Sequence, residues 1–276
     1  MIFQRVLKPS IERTPVAAVY RAARDELRWA CRKFVETPLG FRLAGSPRMQ
    51  AGTFEPDEVA LITAELTKAD VFVDVGANVG FFTCLARSME KYTIAVEPLP
   101  DNLRYLYGNL VVNGWTDCVE VFPLGIADAP GLAELYGAGT GASLLRGWAG
   151  ISEHFKRIVP VSTLDTIVGH RFDGKRIVIK MDVEGAEFRA LLGASETLGR
   201  RPQPTWIIEI TYSANRPNGT SNPNFADTFH LMWEHGYRVH SIGSACREIT
   251  CQEIEEFEMT GREPKWGTLN YLFVGA

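Results

Sequence analysis

The sequence predicts a doubly wound α/β domain with a mostly parallel sheet, preceded by a helical extension. From residue 70 onward, short apolar runs alternate with segments of helical periodicity, the pattern of strand and helix taken in turn. The early runs, VFVDV (71–75) first among them, are apolar at nearly every position. That is expected where helices cover both faces of a parallel sheet. The 276 residues, 46% hydrophobic and 22% charged, are enough for one sizeable core. We therefore expect a helical extension over 1–50 and one domain over 51–276.

The elements follow in order. Residues 15–34 carry Val16, Val19, Tyr20, Ala23, Leu27, Ala30 and Phe34 at helical spacing, with Arg21, Arg24, Arg28, Arg32 and Lys33 around them. The expected role is a helix packed on the main domain with solvated arginines; peripheral contact with an anionic membrane is the other reading. GFRLAGSPRM reads as extended, and EPDEVALITAEL as a helix with acids in its first turn. Strands are expected over 71–75, 92–97, 119–126, 157–161, 176–183, 205–210, 237–242 and 269–274, and helices over 79–90, 100–113, 185–194 and 223–236. No helix is evident between the last two strands, which suggests an antiparallel edge. The glycine-rich 137–150 and the polar loop 213–224 are candidates for lids or substrate walls.

A net charge of −4 argues against a nucleic-acid partner. The five cysteines are odd in number and form no CxxC pair; several sit in apolar runs, where cysteine acts as a small buried hydrophobe, and the set reads as a reducing cytoplasm. No run approaches the ~20 apolar residues of a transmembrane helix, and the charged N-terminus does not resemble a signal peptide. Nothing in the sequence fixes the oligomeric state.

The motif DVGANVG raises a question of charge. Dinucleotide folds use a glycine turn to bring backbone N–H groups to a pyrophosphate. Here the spacing is Gly76 and Gly80 around Asn78, and Asp74 places a carboxylate where phosphates would lie. That suits a ligand with positive charge and no phosphates, such as S-adenosylmethionine. Asp74 is expected to hold its ammonium, directly or through water. Glu97 ends the next strand, 21 residues after Gly76, where an acid accepts hydrogen bonds from ribose hydroxyls. Pro98 then ends strand pairing, and Asp101 is expected to cap a helix that starts near Asn102. Asp128, in LGIAD, is expected to meet the adenine amino group, with Leu124 and Ile126 as apolar contacts. Farther on, Lys180, Asp182, Glu184 and Glu187 crowd a strand end and the helix after it. Helix dipoles account for Glu184 and Glu187. Lys180 and Asp182 alternate to one side of an apolar strand and mark a functional site.

The segments DVGANVGFFT, EPLPDNLRYLYGNL, GASLL, Leu164–Asp165 and IKMDVEGAE together resemble the FkbM family of S-adenosylmethionine-dependent methyltransferases over roughly residues 40–275. Met181 stands where an aliphatic residue is common. The resemblance implies a Rossmann-like class I fold with seven strands, one of them antiparallel near an edge. It places Asp74, Gly76, Asn78, Gly80, Glu97 and Asp128 in cofactor positions and Lys180, Asp182, Glu184 and Glu187 near the active centre. It implies methylation of a hydroxyl oxygen on a saccharide or other small molecule. Asp182 is the expected base, or the ligand of a divalent metal that acidifies the hydroxyl. Glu184 would assist, Lys180 would position Asp182, and His154 is the rival base. An NAD(P)-linked oxidoreductase and a non-catalytic binding module are the alternatives.

Overall fold

The computed structural model describes residues 17–137, 139–150, 156–216, 220–243, 246–262 and 266–275. Helix α1 (Ala17–Ala30) leads into a small hairpin, β1 (Val35–Glu36) and β2 (Arg42–Leu43), then α2 (Pro47–Gln50) and α3 (Pro56–Leu66). The core alternation follows: β3 (Val71–Val75), α4 (Phe81–Ser88), β4 (Tyr92–Val96), α5 (Pro100–Asn113) and β5 (Val119–Phe122). The chain then makes β6 (Gly125–Ile126), β7 (Gly131–Tyr136), β8 (Lys156–Ser162) and α6 (Leu164–Val168). It closes with β9 (Ile177–Met181), α7 (Glu187–Leu192), α8 (Ser195–Leu198), β10 (Thr205–Glu209), α9 (Phe225–Glu234), β11 (Tyr237–Ser241), β12 (Glu248–Ile249), α10 (Cys251–Thr260) and β13 (Asn270–Gly275).

The main sheet runs β12-β11-β13-β10-β9-β3-β4-β5. Seven of its strands match the expected number, and the two-residue β12 adds an eighth at the edge. Strands β3, β4, β5, β9 and β10 are parallel, and β13 runs antiparallel to both its neighbours. The central strands β3 and β9 are buried at every position, as apolar runs covered on both faces must be. Val73, Ile179 and Trp206 face a core made with α6 to α9. Phe72, Val178 and Ile207 face the other layer, against Ile62 of α3 and Phe82 of α4. Each such side chain stabilises the fold by about 1.5–3 kcal/mol.

Several sequence expectations change. Helix α10 lies between β11 and β13, where none was expected. Its signal is the capping box Thr250–Glu253, readable as TCQE. The strand expected over 119–126 breaks at Pro123, which has no N–H to donate, and β6 leaves for a second sheet of order β6-β8-β7. The strand at 157–161 belongs to that small sheet too. Helix α5 starts at Pro100 with Leu99 as its cap residue, and Asp101 pairs instead with Arg157 at 3.0 Å. Only Cys84 is buried; Cys31, Cys118, Cys246 and Cys251 are exposed thiols. Helix α1 packs on α5: Trp29 meets Tyr105 edge-on at 5.2 Å and lies over Gly108, and Glu26 pairs with Arg104 at 2.5 Å. Residues 35–50 are no mere extension. Phe41, Leu43 and Met49 are buried with Phe81 in the main core, and Asn109 bonds both backbone groups of Ala44.

Candidate active site at the strand ends

The carboxyl ends of the central strands form one row. The last parallel pairs are Val75 with Val96 and with Met181, and Ile208 with Met181. One residue further, Glu97, Gly76, Asp182 and Glu209 stand side by side. The turn after β3 is locked tightly: Gly76 and Ala77 N–H both donate to the Val96 carbonyl, and Asp182 N–H donates to the Val75 carbonyl. Gly76 has φ +84°, and a Cβ there would lie 1.9 Å from the Asp182 carbonyl oxygen. Only glycine accepts both the torsion and the contact.

A crevice opens above this row between β3, β4 and the segment 139–144. Gly76, Asn78, Glu97 and Pro98 line one end; Leu124, Ile126, Leu135 and Leu144 make an apolar wall; Asp182 and Glu184 close the other end. Glu97 accepts from Asn78 N–H at 2.8 Å, Leu99 N–H at 2.8 Å and the Asn102 amide at 3.2 Å. Burial pushes its carboxyl up to about 7 against the pull of those donors. The Asn78 side-chain oxygen is buried and has no partner.

Asp74 and Gly80 do not line this crevice. Asp74 is 2% exposed and accepts from the Thr83 hydroxyl at 2.6 Å; burial pushes it up to about 6. Its side chain faces α4, because alternation along β3 puts it on the same side as Phe72. Gly80 begins α4 with φ +82° and packs on Leu106. Asp128 is turned outward and held by Arg189 at 2.5 Å. Leu124 and Ile126, expected beside it, do line the crevice.

The signature residues come together. Lys180 is 4% exposed. Its ammonium lies 3.1 Å from Asp182 and 3.9 Å from Glu58 of α3, over the Phe82 ring at 4.9 Å. Burial alone would lower its pKa, but Asp182, Glu58, Glu55 and Asp74 raise it on balance, and it keeps its proton. Glu184 adopts φ +54° and is fixed from above. Trp148 Nε1–H donates to its carboxylate at 2.5 Å, and the Ser143 hydroxyl donates to its carbonyl at 2.5 Å. The Trp148 ring leaves no room for a Cβ on Gly185. Ala149 N–H donates to the Asn215 carbonyl at 2.6 Å. The two loops expected to form walls or lids are thus joined across the strand ends. Glu187 caps its own helix start by accepting from Gly185 N–H at 2.8 Å. His154, the rival base, lies outside the described residues.

Sequence reading missed three acids. Glu209 ends β10 level with Asp182, and Glu55 and Glu58 open α3. An acid closing the apolar run TWIIE was the available signal for Glu209. Glu55 and Glu58 looked like ordinary first-turn acids. Burial, with Asp182 next, pushes Glu209 up to about 9, while Glu55, Glu184 and Glu187 are each pushed up to about 7, chiefly by burial.

A pH dependence follows. These carboxyls titrate near 4.3 when unfolded and higher when folded, so the unfolded chain ionises first. Their contribution to stability is complete below the unfolded pKa and is lost as pH rises through about 7 and about 9. The carboxyls that salt bridges hold low, such as Glu134 and Glu253, are already ionised over that range and do not offset it. The thermal midpoint of the protein should therefore fall from pH ~5 to pH ~9. Glu209→Gln should flatten the alkaline part by about 2 kcal/mol, with partial exposure allowed for. Calorimetric scans across pH test this; a midpoint that rises over the range contradicts it.

Comparison with known proteins comes last. The sequence model of a family described as the methyltransferase FkbM domain matches residues 74–239. No curated protein matches the chain by sequence. Among solved structures, the methyltransferase FkbM of Methylobacillus flagellatus is similar at 16% identity and a TM-score of 0.47, over 75% of this chain and 44% of that one. This chain therefore spans less than half the length of that protein. Precorrin-6y C5,15-methyltransferase of Geobacter metallireducens is similar at 10% identity and a TM-score of 0.43, over 86% of this chain and 96% of that one. The ribosomal protein L11 methylase of Lactobacillus delbrueckii subsp. bulgaricus is similar at 11% identity and a TM-score of 0.39, over 78% and 77%.

Proposed function

The chain belongs to the FkbM methyltransferase family, and from that premise we propose that it transfers the methyl group of S-adenosylmethionine to a hydroxyl oxygen of a small molecule or saccharide. One observation carries the reading. Every charged side chain that lines the crevice is a carboxylate: Glu97, Asp182 and Glu184, with no lysine, arginine or histidine among the described lining residues. Such a wall repels the phosphates of NAD(P) and welcomes a sulfonium and an ammonium. It is also why the oxidoreductase alternative is not favoured.

The residues present fit the cofactor. A carboxylate offers about four acceptor sites. Glu97 uses two on Oε1 and one on Oε2, which leaves one for a ribose hydroxyl. The unpartnered Asn78 oxygen awaits a donor at the same end. Leu124, Ile126, Leu135 and Leu144 would flank the adenine of a bound cofactor. When bound, the cofactor supplies an electrophilic methyl group. Asp182 Oδ2 is held by Lys180, so Oδ1 is the atom that receives the acceptor's hydroxyl proton as the oxygen attacks in line. Alignment contributes roughly 7–11 kcal/mol in favourable systems. Glu184, held by Trp148, shapes the crevice beside Asp182. A divalent metal on Asp182 is the alternative to its role as base; among the described residues no group of three or more His, Cys, Asp or Glu is placed to hold a metal ion.

No helix among the described residues is long and apolar enough to cross a membrane. Unpaired cysteines support a place in the reducing cytoplasm, and the net charge of −4 supports a small acceptor over nucleic acid.

Titration calorimetry with S-adenosylhomocysteine and with NADH tests the reading. The first should bind and the second should not. Glu97→Gln should weaken the first about tenfold to a hundredfold, the scale of one hydrogen bond to a charged group. Binding of NADH in its place would end the proposal. Cofactor binding without methyl transfer to any acceptor in a labelled-cofactor screen would favour the non-catalytic alternative.

A further inference from the structure

A second cleft, of about 570 Å³, opens beside the carboxyl end of β10. That is the size of a pocket for a drug-sized ligand. Glu55 stands on one side and Glu209 on another, with Tyr212 and Phe225 as an aromatic wall and Asn270 at the floor. Tyr212 and Phe225 meet edge-on at 5.5 Å. Register explains the assembly: Glu209 pairs with Asn270 across β10 and β13, and stands one residue past Ile208, the partner of Met181. Glu209, in the cleft wall, therefore stands on the strand beside Asp182, in the crevice wall.

The charges around this pair of strand ends do not balance. Glu55 and Glu58 face it from α3, Asp182 from β9, Glu209 from β10, Asp74 from β3, and Glu184 and Glu187 from the turn into α7. Among the described residues the cations that face them are Lys180, whose ammonium is bound to Asp182, and Arg216, which lies toward Glu187. No basic residue lines the cleft among the described residues. Glu58 gives a second and separate sign. It is 4% exposed, its carboxyl adjoins Glu55 and Asn270 of the cleft wall, and its Oε2 has no hydrogen-bond partner. A buried carboxyl oxygen without a donor is costly, and Lys180, at 3.9 Å, stands beyond hydrogen-bond reach. An aromatic wall beside carboxylates is the chemistry that receives an ammonium group.

We propose that this cleft takes the methyl acceptor and that the acceptor is a hydroxylated amine, its ammonium held between Glu55 and Glu209 and its hydroxyl turned to Asp182. The inference rests on the methyltransferase reading and adds the substrate class. An ammonium supplies the missing counter-charge; a neutral sugar leaves the carboxyls as they are. With burial holding Glu55 at about 7 and Glu209 at about 9, both carry protons part of the time in the empty cleft. Docking of the ammonium drives those protons off into solvent.

Titration calorimetry on the full chain, saturated with S-adenosylhomocysteine, tests this with kanamycin and glucosamine against trehalose and glucose. The amines should bind at least about tenfold more tightly than their neutral counterparts, a difference of about 1.4 kcal/mol. Kanamycin binding at pH ~7.5 should release protons, seen as a heat that changes with the ionisation enthalpy of the buffer. Glu209→Gln and Glu55→Gln, which keep side-chain size, should each weaken kanamycin about tenfold or more and leave S-adenosylhomocysteine affinity unchanged. Equal binding of neutral and amino sugars, or kanamycin affinity untouched in both variants, overturns the inference. Kanamycin binding without S-adenosylhomocysteine binding would instead sink the methyltransferase reading and leave the cation cleft standing.

Discussion

Asp182→Asn should lower kcat for methyl transfer about 10²–10⁴-fold, the usual contribution of a positioned base. Asparagine is isosteric, and its amide oxygen can still face the Lys180 ammonium, which sits 3.1 Å from Oδ2 in the native protein. What is lost is the capacity of the side chain to take a proton. Because Glu97 and Asn78 hold the other end of the crevice, S-adenosylhomocysteine affinity should change by less than about threefold. Single-turnover rates with saturating cofactor separate the two quantities. Undiminished turnover in the variant would remove Asp182 as the base. Glu184 would then be the next candidate, since it lines the same crevice and burial holds it at about 7. His154→Ala, measured alongside, decides the remaining rival.

Gly76→Ala should cost about 3–5 kcal/mol of folding stability and abolish cofactor binding. The left-handed torsion alone costs an L-residue about 1–2 kcal/mol. The larger part is steric, since the new methyl group would stand 1.9 Å from the Asp182 carbonyl oxygen. Relief requires β3 and β9 to part at their carboxyl ends, where Asp182 N–H meets the Val75 carbonyl at 2.9 Å. Gly114→Ala is the internal control: its φ is +71°, but nothing lies within 4 Å of the added carbon. It should show the torsional cost alone. Denaturant midpoints measure both; equal losses would mean that the close approach to β9 is not what demands glycine at 76.

Much of this fold was written in local pattern. VFVDV and IVIKM read as covered parallel strands because they are apolar at nearly every position, and both are buried throughout. Glu97 and Asp182 were legible because each ends an apolar strand with an acid, where burial without purpose is costly. The misses have physical causes. Strand β7 grades from exposed to buried along its length and has no alternating apolar face, so it gave little signal. Glu55 and Glu58 reach the centre only because α3 crosses the sheet ends, a tertiary fact with no local trace. Asp128 shows the converse. Its place in the sequence suited an adenine contact, but the partner that turns it outward, Arg189, lies 61 residues on.

The hairpin and short helix ahead of α3 are built into the core that follows them. Phe41 and Leu43 fill space beside Phe81, and Asn109 and Asn113 on α5 clasp the backbone of Ala44 and Arg42. The matched family region, by contrast, opens at residue 74. Any recombination joint or cloning boundary set by the matched region alone would strip a plug from the middle of the molecule. The interlocked part reaches back at least to Phe41 and Arg42, well ahead of the matched region.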